Sequence, residues 1–220
     1  MCIRDRHSFC HALPGTWHLM SVMLSAASCL DWACRLTGAA SVAALLHEAE
    51  HDARDDALPW FLPYLSGERT PHNDPHAKGV FYGLTHQHGR PELARAVLEG
   101  VGFGLADGID AVDAVDASGV DGAGITLIGG GARSAYWRQM LADISGRMLE
   151  YRRGGDVGPA LGAARLARIA LNPGLDFAQL LPPLPLEQAH QPDPLRQGKY
   201  AERRETFKAL YGQLRGIMQP

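Results

Sequence analysis

Beyond Cys34 the sequence contains no cysteine. The four that occur (Cys2, Cys10, Cys29 and Cys34) form no CxxC pair, so they read as reduced thiols of a cytosolic protein rather than as a disulfide framework. Charge of either sign is also in short supply. Against 24 Asp and Glu stand 21 Lys and Arg, a formal net charge of -3 over 220 residues, which gives no electrostatic footing for nucleic acid or an anionic membrane. No apolar run approaches the roughly 18 uninterrupted residues of a membrane span. Arg4 and Arg6 ahead of LMSVMLSAASC imitate a secretory signal, but Pro14 and His18 interrupt the approach and Asp31, Trp32 and Arg35 follow at once, so no signal peptide is read. Repeats and low-complexity tracts are absent. What remains is ordinary globular composition, 46% hydrophobic and 20% charged, at a length that fits one large domain or one and a half small ones. The opening MCIRDR, residues 1–6, matches no structural pattern and reads as a non-native leader.

Strands alternate with helices along the rest. TWHLMSVML reads as a strand, SAASCLDWACRLTG as a helix stopped by Gly38, and SVAALLHEAEHDA as a helix capped by Ser41. PWFLPYLSGERTPHNDPHAKG reads as a short strand followed by a long ordered loop, and VFYGL as a further strand. From Pro91, the apolar residues Leu93, Val97, Val101, Leu105, Ile109 and Val112 recur at helical spacing. Gly100, Gly104 and Gly108 lie along that helix at steps of four. Each glycine costs a helix about 1 kcal/mol relative to alanine, so the series predicts close approach of another backbone. The strand ITLI, a helix through Ile144, the strand RMLEYRR and the small-residue helix GPALGAARLARIAL follow. A Pro-rich segment, 172–194, then crosses to a last helix, KYAERRETFKALYGQLRGIM. This alternation indicates an α/β domain over residues 7–171, with 172–220 as an extension.

Between ITLI and the next helix stand three consecutive glycines, Gly129, Gly130 and Gly131, then Ala132, Arg133 and Ser134. A strand–glycine–helix junction exposes backbone N–H groups, and the helix N-terminus favours an anion. GGGARS is neither a Walker A motif nor a GxGxxG fingerprint. Taken alone it fits a tight turn as well as a ligand loop, with Arg133 pairing a phosphate or an acidic neighbour and Ser134 capping the helix. A rival motif is HEAEH, His47–His51, which fits the HExxH pattern of zinc hydrolases. Asp52, Arg54, Asp55 and Asp56 follow it directly, the flank of a solvated helix end, so no zinc is expected there. The pairs His72/His76 and His86/His88 read as loop hydrogen-bonders, and no metal ligand is assigned.

GVFYGLTHQHGRPELARAVLEG resembles the second signature of the FGGY carbohydrate kinases. A glycine-flanked aromatic strand, Gly79 to Leu84, is followed after seven residues by Glu92 and an Ala-rich helix start ending at Glu99. FLPYLSGERTPHNDPHAKG, TLIGGGARSAYWRQMLADISG and GGDVGPALGAARLA resemble, in order, the C-terminal domain of the xylulokinase branch of that family. The resemblance implies an actin-like ATPase (ribonuclease H-like) fold, a mixed sheet flanked by helices, with a C-terminal helical extension. It implies ATP and Mg²⁺, and D-xylulose as the sugar converted to D-xylulose 5-phosphate. A ribulokinase, gluconokinase or glycerol kinase, or a nucleotide-binding domain without catalysis, stays open; so does a homodimer. Gly129, Gly130, Gly131, Ala132, Arg133 and Ser134 become the adenosine-side loop. The GERTP loop faces the phosphates or braces the cleft through Glu68–Arg69 pairing. One departure stands out: the family's catalytic aspartate and Gly-Thr-Ser-Gly loop lie upstream of the segment resembling HSFCHALPGTWHLM and do not occur here. The chain is therefore expected to be the C-terminal half of a kinase, with no catalytic residue of its own. Asp107, Asp110, Asp113, Asp116 and Asp156 offer no substitute base.

Overall fold

The computed structural model describes residues 2–3, 6–54, 58–114, 124–154 and 158–219. Its strands are β1 (Cys2–Ile3), β2 (Arg6–Cys10), β3 (Trp17–Met20), β4 (Trp60–Leu62), β5 (Val80–Tyr82), β6 (Ile125–Leu127), β7 (Leu149–Arg152) and β8 (Leu186–His190). Its helices are α1 (Ser28–Thr37), α2 (Val42–His51), α3 (Arg90–Asp113), α4 (Ala135–Ser145), α5 (Gly158–Leu171), α6 (Phe177–Leu180) and α7 (Pro194–Met218), with a 3-10 turn at Gly130–Arg133. Local chemistry sets several of these ends. Ser41 accepts from the Ala44 amide to start α2. Gly38 and Gly146 close α1 and α4 in the left-handed conformation, φ 67° and 66°, which costs glycine little.

Three small sheets result. β1, β2 and β3 are antiparallel, as are β4 and β5, while β6 pairs β7 in parallel and β7 pairs β8 antiparallel. The core gathers around α3, whose Val97, Leu98, Val101 and Phe103 are fully buried against α1, α2, α4 and β4. The glycine series on α3 divides. A Cβ on Gly100 would collide with the Phe61 carbonyl oxygen, so backbone meets backbone there as predicted. At Gly104 and Gly108 the neighbours are side chains, Met23 Cε and Ser21 Oγ, each 2.8 Å from a Cβ placed there. Helix spacing alone cannot say which kind of group arrives.

The segment 172–194 is more structured than its prolines suggest, since it contains α6 and β8. β8 shows no apolar pattern because four of its five residues are exposed; backbone pairing to β7 holds it. The last helix also starts earlier than Lys199, at Pro194, where Asp193 accepts from the amides of Leu195 and Arg196. It shares the main core, with the Phe207 ring 5.3 Å from that of Phe103. α5 differs: none of its residues is buried. No single helix among the described residues is long and apolar enough to cross a membrane. α1 and α2 pass that test only as a pair, bent by 85°, and both bury residues in the core.

Candidate functional site

β6 delivers the chain to Gly129, which sits at φ +90° with open space around it. Only glycine adopts that conformation at low cost. The 3-10 turn follows, closed by the Ala132 amide on Gly129 O at 3.1 Å, and Ser134 caps α4 by accepting from the Trp137 amide at 3.2 Å. Gly131 is glycine for a different reason: a Cβ there would lie 2.5 Å from Trp137 Cζ3, and Trp137 is buried in the core. Gly130 has neither constraint. Its φ is not left-handed and nothing lies within 4 Å of a Cβ built on it.

Arg138, on the second turn of α4, fastens this loop to the sheet. Although only 5% exposed, it donates from Nη1 to Ala132 O at 2.6 Å and Arg133 O at 3.2 Å. Nη2 donates to Gln188 Oε1 at 2.5 Å and Nε to His190 Nε2 at 2.9 Å, both on β8. The guanidinium also stacks over the Tyr151 ring, 4.2 Å from its centroid. Burial pulls Arg138 below its ordinary value, and burial followed by the Arg138 charge pulls His190 down. An arginine only donates, so His190 Nε2 is the bare nitrogen and Nδ1 carries the proton toward Gln139 Oε1 at 3.2 Å. Nothing in the sequence links Arg138 to a histidine 52 residues later.

The C-terminal domain model of the FGGY family of carbohydrate kinases matches residues 1–171. The chain belongs to this family. Its fold is the actin-like ATPase fold of those kinases. It is 68% identical over 213 residues to the xylulose kinase of Escherichia coli K12, covering 96% of this chain and 43% of that protein. It is 64% identical over 212 residues to the xylulose kinase of Klebsiella pneumoniae, with the same coverage. A solved xylulose kinase from Brucella ovis superimposes with a TM-score of 0.86 at 39% identity, covering 97% of this chain and 43% of that one. The chain thus spans less than half the length of the relatives it matches.

The residues of the FGGY signature take structural posts. Glu92 reaches back to the Gly89 amide at 2.9 Å and accepts from the Arg54 guanidinium at 3.2 Å, starting α3. Burial raises its carboxyl, but these donors outweigh that and hold it below the usual carboxylate value. Glu99, 2% exposed, lies between Arg203, at 2.8 Å, and Arg95, at 3.4 Å. The GERTP loop is braced, though not by an Arg69 guanidinium. Glu68 Oε1 accepts from the backbone amides of Arg69 and Leu24, at 2.7 and 3.1 Å, because the buried carboxylate can reach amides without ordering a long side chain. Thr70 adds a reciprocal pair with Val22, both at 2.9 Å. His72 Nε2 lies in hydrogen-bond contact with Tyr64 Oη at 3.0 Å, and its ring stacks on Tyr211 with centroids 3.6 Å apart.

HEAEH is solvated and spoken for. The His47 and His51 rings lie face to face, 4.3 Å apart and 18° from parallel, and His51 Nδ1 is 3.0 Å from His47 O. Glu48 takes a two-pronged bond from Arg90 at 2.5 and 2.6 Å. Among the described residues no group of three or more His, Cys, Asp or Glu could hold a metal ion. The aspartates of α3 are paired as well: Asp107 and Asp110 share Arg204, and Asp113 meets Arg147 at 2.5 Å. Asp116 and Asp156 lie outside the described residues, as do Asp55 and Asp56.

Proposed function

We propose that this chain is the nucleotide-binding half of an ATP-dependent kinase that converts D-xylulose to D-xylulose 5-phosphate. Gly130 carries the nucleotide assignment. Its neighbours are glycine for conformation and for packing, whereas Gly130 has open space and no internal reason to lack a side chain. A flat backbone beside a capped helix N-terminus suits a nucleotide that must lie close to the chain. In this reading Gly129 to Ser134 contact the adenosine side, and Arg138 holds the loop from behind by its carbonyls. The sugar assignment rests on the relatives, both xylulose kinases at 64% identity or more, and favours xylulose over ribulose, gluconate or glycerol.

Phosphoryl transfer needs a proton acceptor and a cradle for the β- and γ-phosphates. The described aspartates of α3 are all ion-paired, so no residue of this chain is assigned as base. Mg²⁺ would arrive with the nucleotide phosphates and neutralise their developing charge; no described residue is assigned to hold it. Residues 7–171 form the nucleotide-facing domain and 172–220 its extension, in a cytoplasmic enzyme.

A coupled ADP-release assay with D-xylulose tests the reading. The 220-residue chain should give no sugar-dependent turnover, while the same chain fused behind the N-terminal domain of the Escherichia coli xylulose kinase should turn over. Turnover by the short chain alone, or none by the fusion despite bound ATP, would count against it.

A further inference from the structure

α4 begins where the glycine loop ends, and one of its sides is stitched to residues 188–193, beyond the span 1–171 that the family's domain model matches. Three side chains of α4 make the seam. Asp143 Oδ1 accepts from the Asp193 backbone N–H at 2.8 Å. Gln139 Nε2 donates to Gln191 O at 2.7 Å and to Asp143 Oδ1 at 2.8 Å. Its Oε1 faces His190 Nδ1 at 3.2 Å. Arg138 closes the end of the seam nearest the loop, with Nε on His190 Nε2 and Nη2 on Gln188 Oε1.

A guanidinium is planar, with its donors in a fixed fork. Here β8 holds two of the three nitrogens and the Tyr151 ring on β7 lies against the face. The direction of the third nitrogen, Nη1, is then set, and Nη1 is the one that takes Ala132 O and Arg133 O. Ala132 in turn closes the turn of the loop through its amide on Gly129 O. His190 is buried and gripped by Gln139 from its far side, so it presents Nε2 in one place. Gln188 works from the surface. Facing an apolar group instead, Nε would be a buried donor without an acceptor, a costly state that turning the guanidinium relieves. Turning it moves Nη1 away from the loop carbonyls.

We infer that His190, with Gln188 beside it, is a positioning residue for the nucleotide. Acting through Arg138, the two keep residues 129–134 in the one backbone arrangement that ADP or ATP meets, so a strand outside the matched domain sets nucleotide affinity. The inference rests on the nucleotide reading of the glycine loop given above. Coupling of this kind is reciprocal: bound nucleotide steadies β8 as β8 steadies the loop.

The test titrates ADP calorimetrically into the 220-residue chain and follows hydrogen exchange at the Ala132 amide. His190→Leu, which offers Nε no acceptor, should weaken ADP binding about tenfold and speed exchange at Ala132 by a similar factor. Loop amides exchange by local opening, so this change is separable from lost global stability, which the Val97 and Leu98 amides in the core of α3 report. His190→Gln keeps an acceptor and should restore both readouts to within about threefold of wild type. Gln188→Met, at an exposed position, should move both in the direction of His190→Leu by a smaller factor, and it carries the test if His190→Leu does not fold. In wild type, ADP should slow exchange along β8. Unchanged ADP affinity in the folded acceptor-less variants, or a loss as large in His190→Gln as in His190→Leu, would overturn the inference. A wild-type chain that binds no ADP would strike the nucleotide reading instead, and exchange at Ala132 would then decide whether β8 sets the loop.

Discussion

His190 receives the Nε–H of Arg138 on its Nε2 at 2.9 Å. A protonated imidazole would instead point an N–H at a guanidinium, so the contact exists only while His190 is neutral. Acid therefore breaks one of the two side-chain bonds that tie Arg138, and with it the glycine loop, to β8, and leaves the one to Gln188.

The sign follows. Burial and the Arg138 charge lower the His190 value, and burial brings His72 down to about 4 from 6.5. Groups that bind protons more readily when unfolded give stability that is complete above the unfolded value and fades as pH falls. The melting temperature should be flat above about pH 7 and drop as pH descends from 6.5 toward 4. His190→Gln, which can still accept from Arg138, should flatten part of that descent in a pH series of thermal melts. An unchanged slope in His190→Gln and His72→Phe together would refute the assignment.

Arg138→Lys removes the fork that spans Ala132 O, Gln188 and His190. It should destabilise the fold by about 2 kcal/mol, the scale of hydrogen bonds to a charged group. Because loop carbonyls are among the lost acceptors, ADP affinity measured by calorimetry should fall as well. Lost stability with full affinity would show that the clamp serves the fold alone.

The three glycines should part company under substitution. Gly130→Val should leave the melt nearly unchanged and reduce ATP affinity. Gly131→Ala should lower stability by about 1–3 kcal/mol, since Trp137 must move, and Gly129→Ala by about 1–2 kcal/mol for its backbone strain. Equal effects at all three positions would contradict their separate roles.

On α3, Gly100→Ala should be the harsher of two matched changes. The obstacle is a carbonyl oxygen of β4, which cannot rotate away, so a loss of about 3 kcal/mol is expected. Gly104→Ala meets the tip of Met23, a flexible side chain that yields. Chemical denaturation of the two variants compares them directly.

Purified protein should carry no stoichiometric zinc. Face-to-face imidazoles at His47 and His51 do not converge on one point, and Glu48 is held by Arg90. Metal analysis of wild type beside a His47→Ala, His51→Ala variant decides; zinc present in the first and lost in the second would reverse this expectation.

Much of the fold is written in local punctuation. Ser41, Gly38 and Gly146 mark helix ends by their own chemistry, and GPALGAARLARIAL spans the observed α5 from its first residue to its last. What stayed illegible depends on distant partners. β8 has no apolar alternation, because its bonds run through backbone to β7. Arg138 looks like any helix arginine until β8 arrives beside it. The strand–glycine–helix junction stood out in the sequence, but which glycine answers to Trp137 and which to open space required the packed side chains.

The last helix carries a cost in time. Trp60 Nε1 donates to Arg203 O across 143 residues, Arg203 Nη1 to Leu58 O across 145, and Gln219 to Asp74 across 145. Contacts so remote in sequence must close long loops before they reward the chain, which slows folding. A chain emerging from the ribosome therefore makes α3 long before Phe207 is there to cover Phe103. Through that interval the centre of the core stays exposed to other chains, the condition under which partly synthesised proteins aggregate or need chaperones.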